Sequence, residues 1–189
     1  MNKREKLHSE LKEFIVNVGW THKIHIVRAD EYVSYSKAFK IVRIVLASLT
    51  SSGLIGILLT NDTYILKLIT ALLSFATAAM NGFDKSIDYD KLSKKEQVDA
   101  NKFWELREDA LSLLFDVVYE TKNIDDIEKD LKELKQMRTI YNNELDNDIP
   151  NRTVNKASKR LKNRNDNVYE EDYAKFISAD LLKLKKGMG

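Results

Sequence analysis

The chain has 189 residues, of which 32% are charged and 43% hydrophobic, which is enough for one domain with a buried core. Lys and Arg total 31 and Asp and Glu total 29, so the net charge of +2 does not mark a nucleic-acid-binding protein. The absence of cysteine excludes disulfides, thiolate zinc sites and a thiol nucleophile, and six Gly with one Pro are too few for a β-rich fold, so the composition predicts an all-α protein.

The first predicted element is an amphipathic helix at the N-terminus. Its apolar residues recur at helical spacing: Leu7, Leu11, Phe14, Ile15 and Val18. This helix is predicted to end near Gly19, and a second helix is predicted to start at Trp20. No Pro or Gly interrupts the second helix before Phe39, so it is predicted to run toward the apolar part of the chain.

The strongest signal is an apolar stretch at 44–83, where only Asp62 and Lys67 are ionisable among forty residues. The stretch contains two uncharged segments, 44–60 and 68–83. At 1.5 Å per residue, the 17 residues of the first segment span roughly 25 Å, close to the hydrocarbon thickness of a bilayer. We therefore predict two transmembrane helices. The alternative is that both segments are core helices of a soluble bundle.

The turn at 61–63 can reverse the chain and is too short for a domain, which predicts a helical hairpin with both ends on one side. Basic residues flank the hairpin at those ends: Lys37, Lys40, Arg43, Lys85, Lys91, Lys94 and Lys95. The tip offers only Lys67, so both termini are predicted to be cytoplasmic. The predicted regions are N-terminal helices at 1–43, the hairpin at 44–83 and a cytoplasmic helical region at 84–189.

Small and weakly polar residues recur along both apolar segments, often at intervals of four. The positions of interest are Ser48, Ser51, Ser52, Gly56, Thr70, Ser74, Thr77, Ala78 and Asn81. In lipid such faces let helices approach closely, so helix packing is one interpretation. The other is that an oligomer turns them inward to line a narrow aqueous path. Asn81 needs hydrogen-bond partners if buried, on another copy or in water.

A seven-residue apolar frame follows the hairpin and predicts a coiled-coil-like seam. Its positions include Phe103, Leu106, Ala110, Leu113, Val117, Ile124, Ile127, Leu131 and Leu134. Glu120 and Arg138 interrupt the frame. The seam is predicted either to join copies of the chain or to join two shorter helices within one chain. Asn123 followed by Asp126 resembles a helix N-terminus and favours the second arrangement.

A loop is predicted at 147–150, and a basic stretch follows it. The basic residues are Arg152, Lys156, Lys159, Arg160, Lys162 and Arg164. This stretch is interpreted as a solvated helix face or as a patch for an anionic ligand such as a lipid headgroup, a nucleotide or RNA. No aromatic residues interleave with the charges, so direct nucleic-acid binding is not expected. A last amphipathic helix is predicted to carry Tyr173, Phe176, Ile177, Leu181 and Leu184.

The sequence offers no recognisable catalytic or metal-binding constellation. His22 and His25 lie three residues apart, but zinc needs three or four ligands and no third stands nearby in sequence. No phosphate-binding glycine motif and no nucleophile-elbow motif occurs. We therefore expect no cofactor, no metal and no enzymatic activity.

Two stretches and the layout around them carry a family resemblance. The stretches are GWTHKIHIVRADEY at 19–32, before the first apolar segment, and KKEQVDANKFWELREDALSLL at 94–114, after the second. With the amphipathic start and the tight hairpin, they resemble the bacterial SLATT family, two-transmembrane effector domains associated with SMODS nucleotidyltransferases and SLOG proteins. The resemblance covers roughly Lys6 to Leu184 and rests on layout and helix texture.

The resemblance implies an inner-membrane effector of a prokaryotic conflict or antiphage system. Such an effector is expected to form pores or disrupt the membrane when a sensor partner signals, in some branches alongside a nucleotide-generating enzyme or a reverse transcriptase. No separate nucleotide-sensing domain is recognisable, so the trigger is expected to act through the cytoplasmic helices or to arrive on another polypeptide.

Two functional hypotheses follow for this chain. In the first, several copies associate in the bilayer, and a signal from a partner encoded in the same operon opens a leak that kills the cell or arrests its growth. In the second, the hairpin is only an anchor, and the cytoplasmic helices recruit a partner protein without any pore. Replacing the hairpin by an unrelated two-helix anchor separates the two hypotheses.

Overall fold

The computed structural model describes residues 2–59, 64–145, 149–162 and 169–184, with the side chains of 84–85, 161–162 and 169–172 left out of the description. Within these ranges the chain is all-α, without a strand, as the composition predicted. The helices are α1 (Lys3–Leu59), α2 (Tyr64–Ser86), α3 (Tyr89–Tyr119), α4 (Ile124–Glu144), α5 (Asn151–Lys162) and α6 (Tyr169–Phe176). The predicted turn at 61–63, and Asn147 and Asp148 of the predicted loop, lie outside the described residues.

The chain divides into two compact units. The core unit consists of Met1–Arg28 and Lys95–Gly189, and the hairpin unit is Ala29–Lys94. The hairpin unit is longer than the predicted apolar region at 44–83, because aromatic contacts between α1 and the start of α3 extend it beyond the apolar segments. Tyr89, for example, contacts Phe39 with ring centroids 5.4 Å apart.

The core unit has a hydrophobic centre formed by α1, α3, α4 and the segment after α6. Its most deeply buried side chains include Leu11, Ile15, Val18, Phe103, Leu106, Leu114, Val117, Ile127 and Leu131. Each helix contributes one apolar stripe, and burial of these stripes against one another is the main source of stability for such a bundle. The amphipathic pattern predicted for the first twenty residues is therefore confirmed.

The predicted helix end near Gly19 is wrong, because α1 continues without interruption from Lys3 to Leu59. Gly19 serves close packing instead of termination. A Cβ atom at this position would lie 2.7 Å from Cδ1 and Cε1 of the Phe176 ring. Only a residue without a side chain leaves room for that ring, and the intrinsic cost of one helical glycine is about 1 kcal/mol.

The ends of α3 and α4 follow from local chemistry. Glu120 has a φ of 57°, the left-handed conformation that ends a helix, which explains one interruption of the heptad frame. Asn123 then caps α4, because its side chain accepts a hydrogen bond of 2.9 Å from the backbone N–H of Asp125. The predicted N-terminus of this helix is confirmed.

The last helix is shorter than predicted. α6 ends at Phe176, and the chain from Ile177 to Leu184 is not helical. Ile177 and Leu181 are nevertheless buried in the core unit, so the apolar spacing correctly identified core residues while misassigning their backbone. Buried apolar residues three to four positions apart occur in turns as well as in helices. Over so short a segment, their spacing therefore does not distinguish a helix from a turn.

Candidate functional site

The hairpin unit carries an apolar surface that faces outward. The best 18-residue windows of α1 and α2 have mean hydropathies of 1.9 and 1.4, and 0% and 6% of these windows are buried within the protein. Leu58 and Phe75 are 85% and 74% exposed. Core helices of a soluble bundle would be mostly buried, so this surface contradicts the soluble alternative and fits hydrocarbon surroundings.

The two apolar helices contact each other through an inner face centred on Gly53. A Cβ atom on Gly53 would overlap the hydroxyl oxygen of Thr70 and lie 3.2 Å from its Cγ2. A Cβ atom on Gly56 would lie 3.2 Å from Cδ2 of Leu66. Two glycines three residues apart therefore let α1 approach α2 closely, as small residues do in membrane helix pairs. Of the predicted packing positions, Gly56, Thr70 and Thr77 are at least partly buried.

The remaining predicted positions lie on the outer face of the hairpin. This outer face is defined by Ser48, Ser51, Ser52, Ser74, Ala78 and Asn81, all of which are exposed in the single chain. The serine hydroxyls donate to backbone carbonyls four residues earlier in their own helices, at 2.9 Å for Ser48, Ser51 and Ser52. These donors are thus satisfied without a partner helix, as is common for serine in membrane helices.

Gly53 was missed in the sequence analysis because the intervals of four selected Ser48, Ser52 and Gly56 as one face. In the structure Ser48 and Ser52 are exposed, whereas Gly53 contacts α2. A usable signal was present, since glycine is the smallest residue and lies in the middle of an uncharged segment. Which side of α1 meets α2, however, depends on the position of the turn, which spacing alone does not give.

The heptad seam lies inside the core unit. The side chains of Phe103, Leu106, Ala110, Leu113, Val117, Ile127, Leu131 and Leu134 are buried in one cluster, and Ile124 packs against it. The chain therefore has the predicted alternative of two shorter helices that pack within one chain. A seam between copies would require this core to open, and self-association through it stays a prediction.

The basic stretch forms part of α5. Thr153 and Ala157 are buried, whereas Arg152, Lys159 and Arg160 are exposed. Arg152, Asn155, Lys156 and Lys159 line an open groove of about 500 Å³. The side chain of Lys162 and all of Arg164 lie outside the description. The described residues provide cationic groups on one open surface, and anion binding there stays a prediction.

A buried ionic cluster, which the sequence analysis did not identify, joins α1 to α3 in the core unit. Glu96 accepts at 2.6 Å from Nδ1 of His25 and at 3.1 Å from Nε of Arg28. The side chains of His25, Glu96 and Arg28 are 2%, 7% and 12% exposed. In so dry an environment the carboxylate requires both donors, since an unpaired buried charge is strongly unfavourable.

Both histidines of the first quoted motif, His22 and His25, contact α3. His22 donates from Nδ1 to the backbone carbonyl of Ala100 at 2.9 Å, and the ring of His25 stacks on Phe103 with an interplanar angle of 3°. Each histidine thus contacts α3 separately. Among the described residues, no group of three His, Cys, Asp or Glu side chains is placed to hold a metal ion.

Stability is expected to fall as the pH drops below about 6.5, because burial lowers the pKa of His8 and His22 below their ordinary value of 6.5. His8 contacts the carbonyl oxygen of Leu181 through Nε2 at 2.9 Å, which opposes this shift without cancelling it. The unfolded chain binds protons at a pH where the folded chain does not, so acid favours unfolding. We expect a lower Tm in detergent at about pH 5.5 than at about pH 7.5.

The double variant His8→Gln/His22→Gln keeps side-chain N–H donors and removes both titrating groups. We expect it to reduce the difference in Tm between the two pH values. An unchanged difference in the double variant would show that other groups cause the acid sensitivity.

The comparisons with known proteins agree with this geometry. The model of the family described as "SMODS and SLOG-associating 2TM effector domain family 4" matches residues 7–172. No curated protein and no solved structure matches the chain significantly. The matched range contains both apolar helices, the buried ionic cluster and most of the core unit. The chain therefore belongs to the SLATT family, as the resemblance predicted, and is a two-transmembrane effector of the kind that acts in conflict and defence systems.

Proposed function

We propose that this protein is a non-enzymatic effector in the bacterial inner membrane whose copies associate through the outer faces of their hairpins and open a leak. The leak would arrest growth or kill the cell during a defence response. The observation that carries the proposal is that the outer face, with its small and hydroxyl-bearing residues, is exposed in the part of the chain that the structure describes. The contact between α1 and α2 is instead made at Gly53 and Thr70.

The small and hydroxyl-bearing residues of the outer face favour association of helices in lipid. Burial of apolar surface does not drive helices together there, so close packing of small residues and interhelical hydrogen bonds provide the attraction. Ser48 and Ser52 lie one turn apart on the exposed side of α1, and Ser74, Ala78 and Asn81 follow one side of α2. The amide of Asn81 can both donate and accept, which suits a contact with another copy or with water in a narrow path.

The proposed topology places both termini in the cytoplasm, because basic residues flank the hairpin on that side. Lys37, Lys40, Lys91 and Lys94 are exposed, in the positions where the positive-inside rule expects them. The core unit would then be cytoplasmic and could receive the signal. A sensor or a nucleotide-generating protein from the same operon is the proposed source of that signal.

Ser52→Leu is expected to reduce toxicity when the protein is expressed with its operon partners. The added bulk on the outer face should cost about 1–3 kcal/mol of packing energy, which corresponds to about a 5- to 150-fold loss of assembled protein. Collapse of the membrane potential, followed with a voltage-sensitive dye, measures the effect. The matched control is Ala79→Leu, which adds similar bulk at an exposed position of α2 that is not part of the outer face. If the wild-type protein leaves the membrane potential unchanged after triggering, the pore proposal fails.

A second candidate is a membrane-anchored scaffold, which the self-contained core unit favours. This unit buries its own hydrophobic cluster and presents the cationic groove of α5, so it has the features of a recruitment domain. Replacing 44–83 by an unrelated two-helix anchor distinguishes the candidates. Full activity of the exchanged protein would support the scaffold, and loss of activity at equal membrane abundance would support the pore.

A further inference from the structure

The junction between α2 and α3 is a two-residue interruption in an otherwise helical segment. α2 ends at Ser86 and α3 begins at Tyr89. The backbone N–H of Ile87 donates to the carbonyl of Phe83, and that of Leu92 donates to the carbonyl of Asp88, both at 3.0 Å. Helical hydrogen bonds thus reach the junction from both directions, and only Ile87 and Asp88 are non-helical.

Asp88 begins α3 as a helix cap. Its Oδ1 accepts a hydrogen bond of 2.9 Å from the backbone N–H of Lys91. An acidic side chain in this position satisfies a backbone donor that the first turn leaves free and interacts favourably with the positive end of the helix dipole. The junction is therefore a defined start of a new helix.

Tyr89, the first residue of α3, lies against three aromatic residues of α1. Its ring centroid is 6.1 Å from that of Tyr32, 5.7 Å from that of Tyr35 and 5.4 Å from that of Phe39. The rings are tilted relative to Tyr89 by 33–54°, geometries that aromatic pairs favour over a face-to-face stack. Positions 32, 35 and 39 share one face of α1, so they surround Tyr89 along two turns.

The next residue strengthens this attachment. Asp90 pairs with Lys40, with 2.8 Å between Oδ2 and Nζ, and it accepts a hydrogen bond from the buried hydroxyl of Ser36. These two partners lower the pKa of the Asp90 carboxyl below its ordinary value of 3.8, so the carboxylate stays charged at neutral pH. The first two residues of α3 are thus fixed to α1 by aromatic and ionic contacts.

We infer that Tyr89 and Asp90 form a clamp that holds the start of α3 on α1, so that α2 is the membrane helix that moves, pivoting at Ile87 and Asp88. The inference rests on the proposed function and describes how the leak is controlled. α1 has no interruption between Lys3 and Leu59 and cannot pivot in the same way. A change in the backbone angles of two junction residues, by contrast, can reorient a whole helix.

The chain contains no cysteine, which allows spin labels to be placed on the full-length protein in vesicles of phosphatidylethanolamine and phosphatidylglycerol. Labels at Lys37→Cys and Lys94→Cys report the distance across the clamp. Labels at Leu58→Cys and Ile65→Cys, near the tip of the hairpin and far from the pivot, report the distance between the two membrane helices. All four positions are exposed in the structure. Pulsed electron paramagnetic resonance then gives a distance distribution for each pair.

In the otherwise wild-type protein, the Lys37→Cys/Lys94→Cys pair across the clamp should give a narrower distance distribution than the pair between the two membrane helices. Tyr89→Ala should broaden it by about twofold, whereas Tyr64→Ala, which removes an exposed ring at the other end of α2, should not. Asp90→Lys should also broaden it, and the exchanged pair Lys40→Asp/Asp90→Lys should restore the original width. A clamp distribution that does not respond to Tyr89→Ala or Asp90→Lys overturns the inference.

Ile87→Ala/Asp88→Ala replaces the junction by helix-forming residues and should narrow the membrane-helix distribution while leaving the clamp distribution unchanged. If the distance distribution between the two membrane helices does not narrow in this variant, the proposed pivot is overturned. Leakage measured on the same vesicles separates this inference from the proposed function. If the distance distributions change as expected but the vesicles do not leak, the clamp is retained and the pore is rejected. If the vesicles leak but the distance distributions do not change, the pore is retained and the clamp is rejected.

Discussion

Glu96→Gln is expected to destabilise the protein more than any other single substitution considered, by about 3–5 kcal/mol. The substitution removes the buried negative charge that pairs with the Arg28 guanidinium and weakens the hydrogen bond of His25. In detergent, thermal unfolding followed by tryptophan fluorescence should show a Tm lower by about 6–20 °C. Both tryptophans, Trp20 and Trp104, belong to the core unit and report on it directly.

Glu105→Gln is the matched control, because Glu105 is exposed on the same helix. It removes the same charge and should change the Tm little. Equal shifts for the two variants would contradict the role given to the buried cluster. The triple variant His25→Leu/Arg28→Met/Glu96→Leu replaces all three polar side chains together, and we expect it to recover most of the loss, since an apolar replacement of a buried ionic cluster is often neutral.

Gly53→Leu is expected to separate the two membrane helices. No side chain fits at this position without moving Thr70, whose hydroxyl also donates to the carbonyl of Leu66 at 2.8 Å. Overpacking of this kind costs about 1–3 kcal/mol, and the helix axes should move apart by about 2 Å. Spin labels at the exposed positions Leu58→Cys and Ile65→Cys, near the tip of the hairpin, measure the separation.

Gly82→Leu provides the control, since a Cβ placed on Gly82 has no described atom within 4 Å apart from its chain neighbours and the nearby backbone of its own helix. It should leave the helix separation unchanged. A second test introduces the smaller side chain of alanine at position 53, first in the single variant Gly53→Ala and then in the double variant Gly53→Ala/Thr70→Ala. The single variant should increase the separation, and the double variant should restore it, because the hydroxyl that blocks the new methyl group is removed. An equal effect of Gly53→Leu and Gly82→Leu would place the helix contact elsewhere.

The features that the sequence predicted well are those that repeat along one helix. The apolar segments stand out because only Asp62 and Lys67 are ionisable among the residues 44–83. The core positions of α3 and α4 follow from a seven-residue frame, and even its interruption at Glu120 corresponds to a real helix end. Such periodic signals need no knowledge of which helices touch.

The features that were missed depend on contacts between residues distant in sequence. Gly19 was interpreted as a helix end, whereas it makes room for Phe176 far along the chain. Arg138 interrupts the heptad frame, and its guanidinium lies 5.8 Å from the ring centroid of Phe14 in α1. The partnership of His25, Arg28 and Glu96 joins helices whose pairing the sequence alone does not specify. Spacing within one helix cannot reveal partners of this kind.

The hydroxyl groups on the hairpin have a consequence for how the protein is made. Ser48, Ser51, Ser52, Thr70, Ser74 and Thr77 each donate to a carbonyl of their own helix. A newly synthesised copy therefore presents none of these donors unsatisfied to the acyl chains and can be inserted alone. Assembly can then wait until enough copies have accumulated in the bilayer, so the onset of any collective activity should depend steeply on expression level.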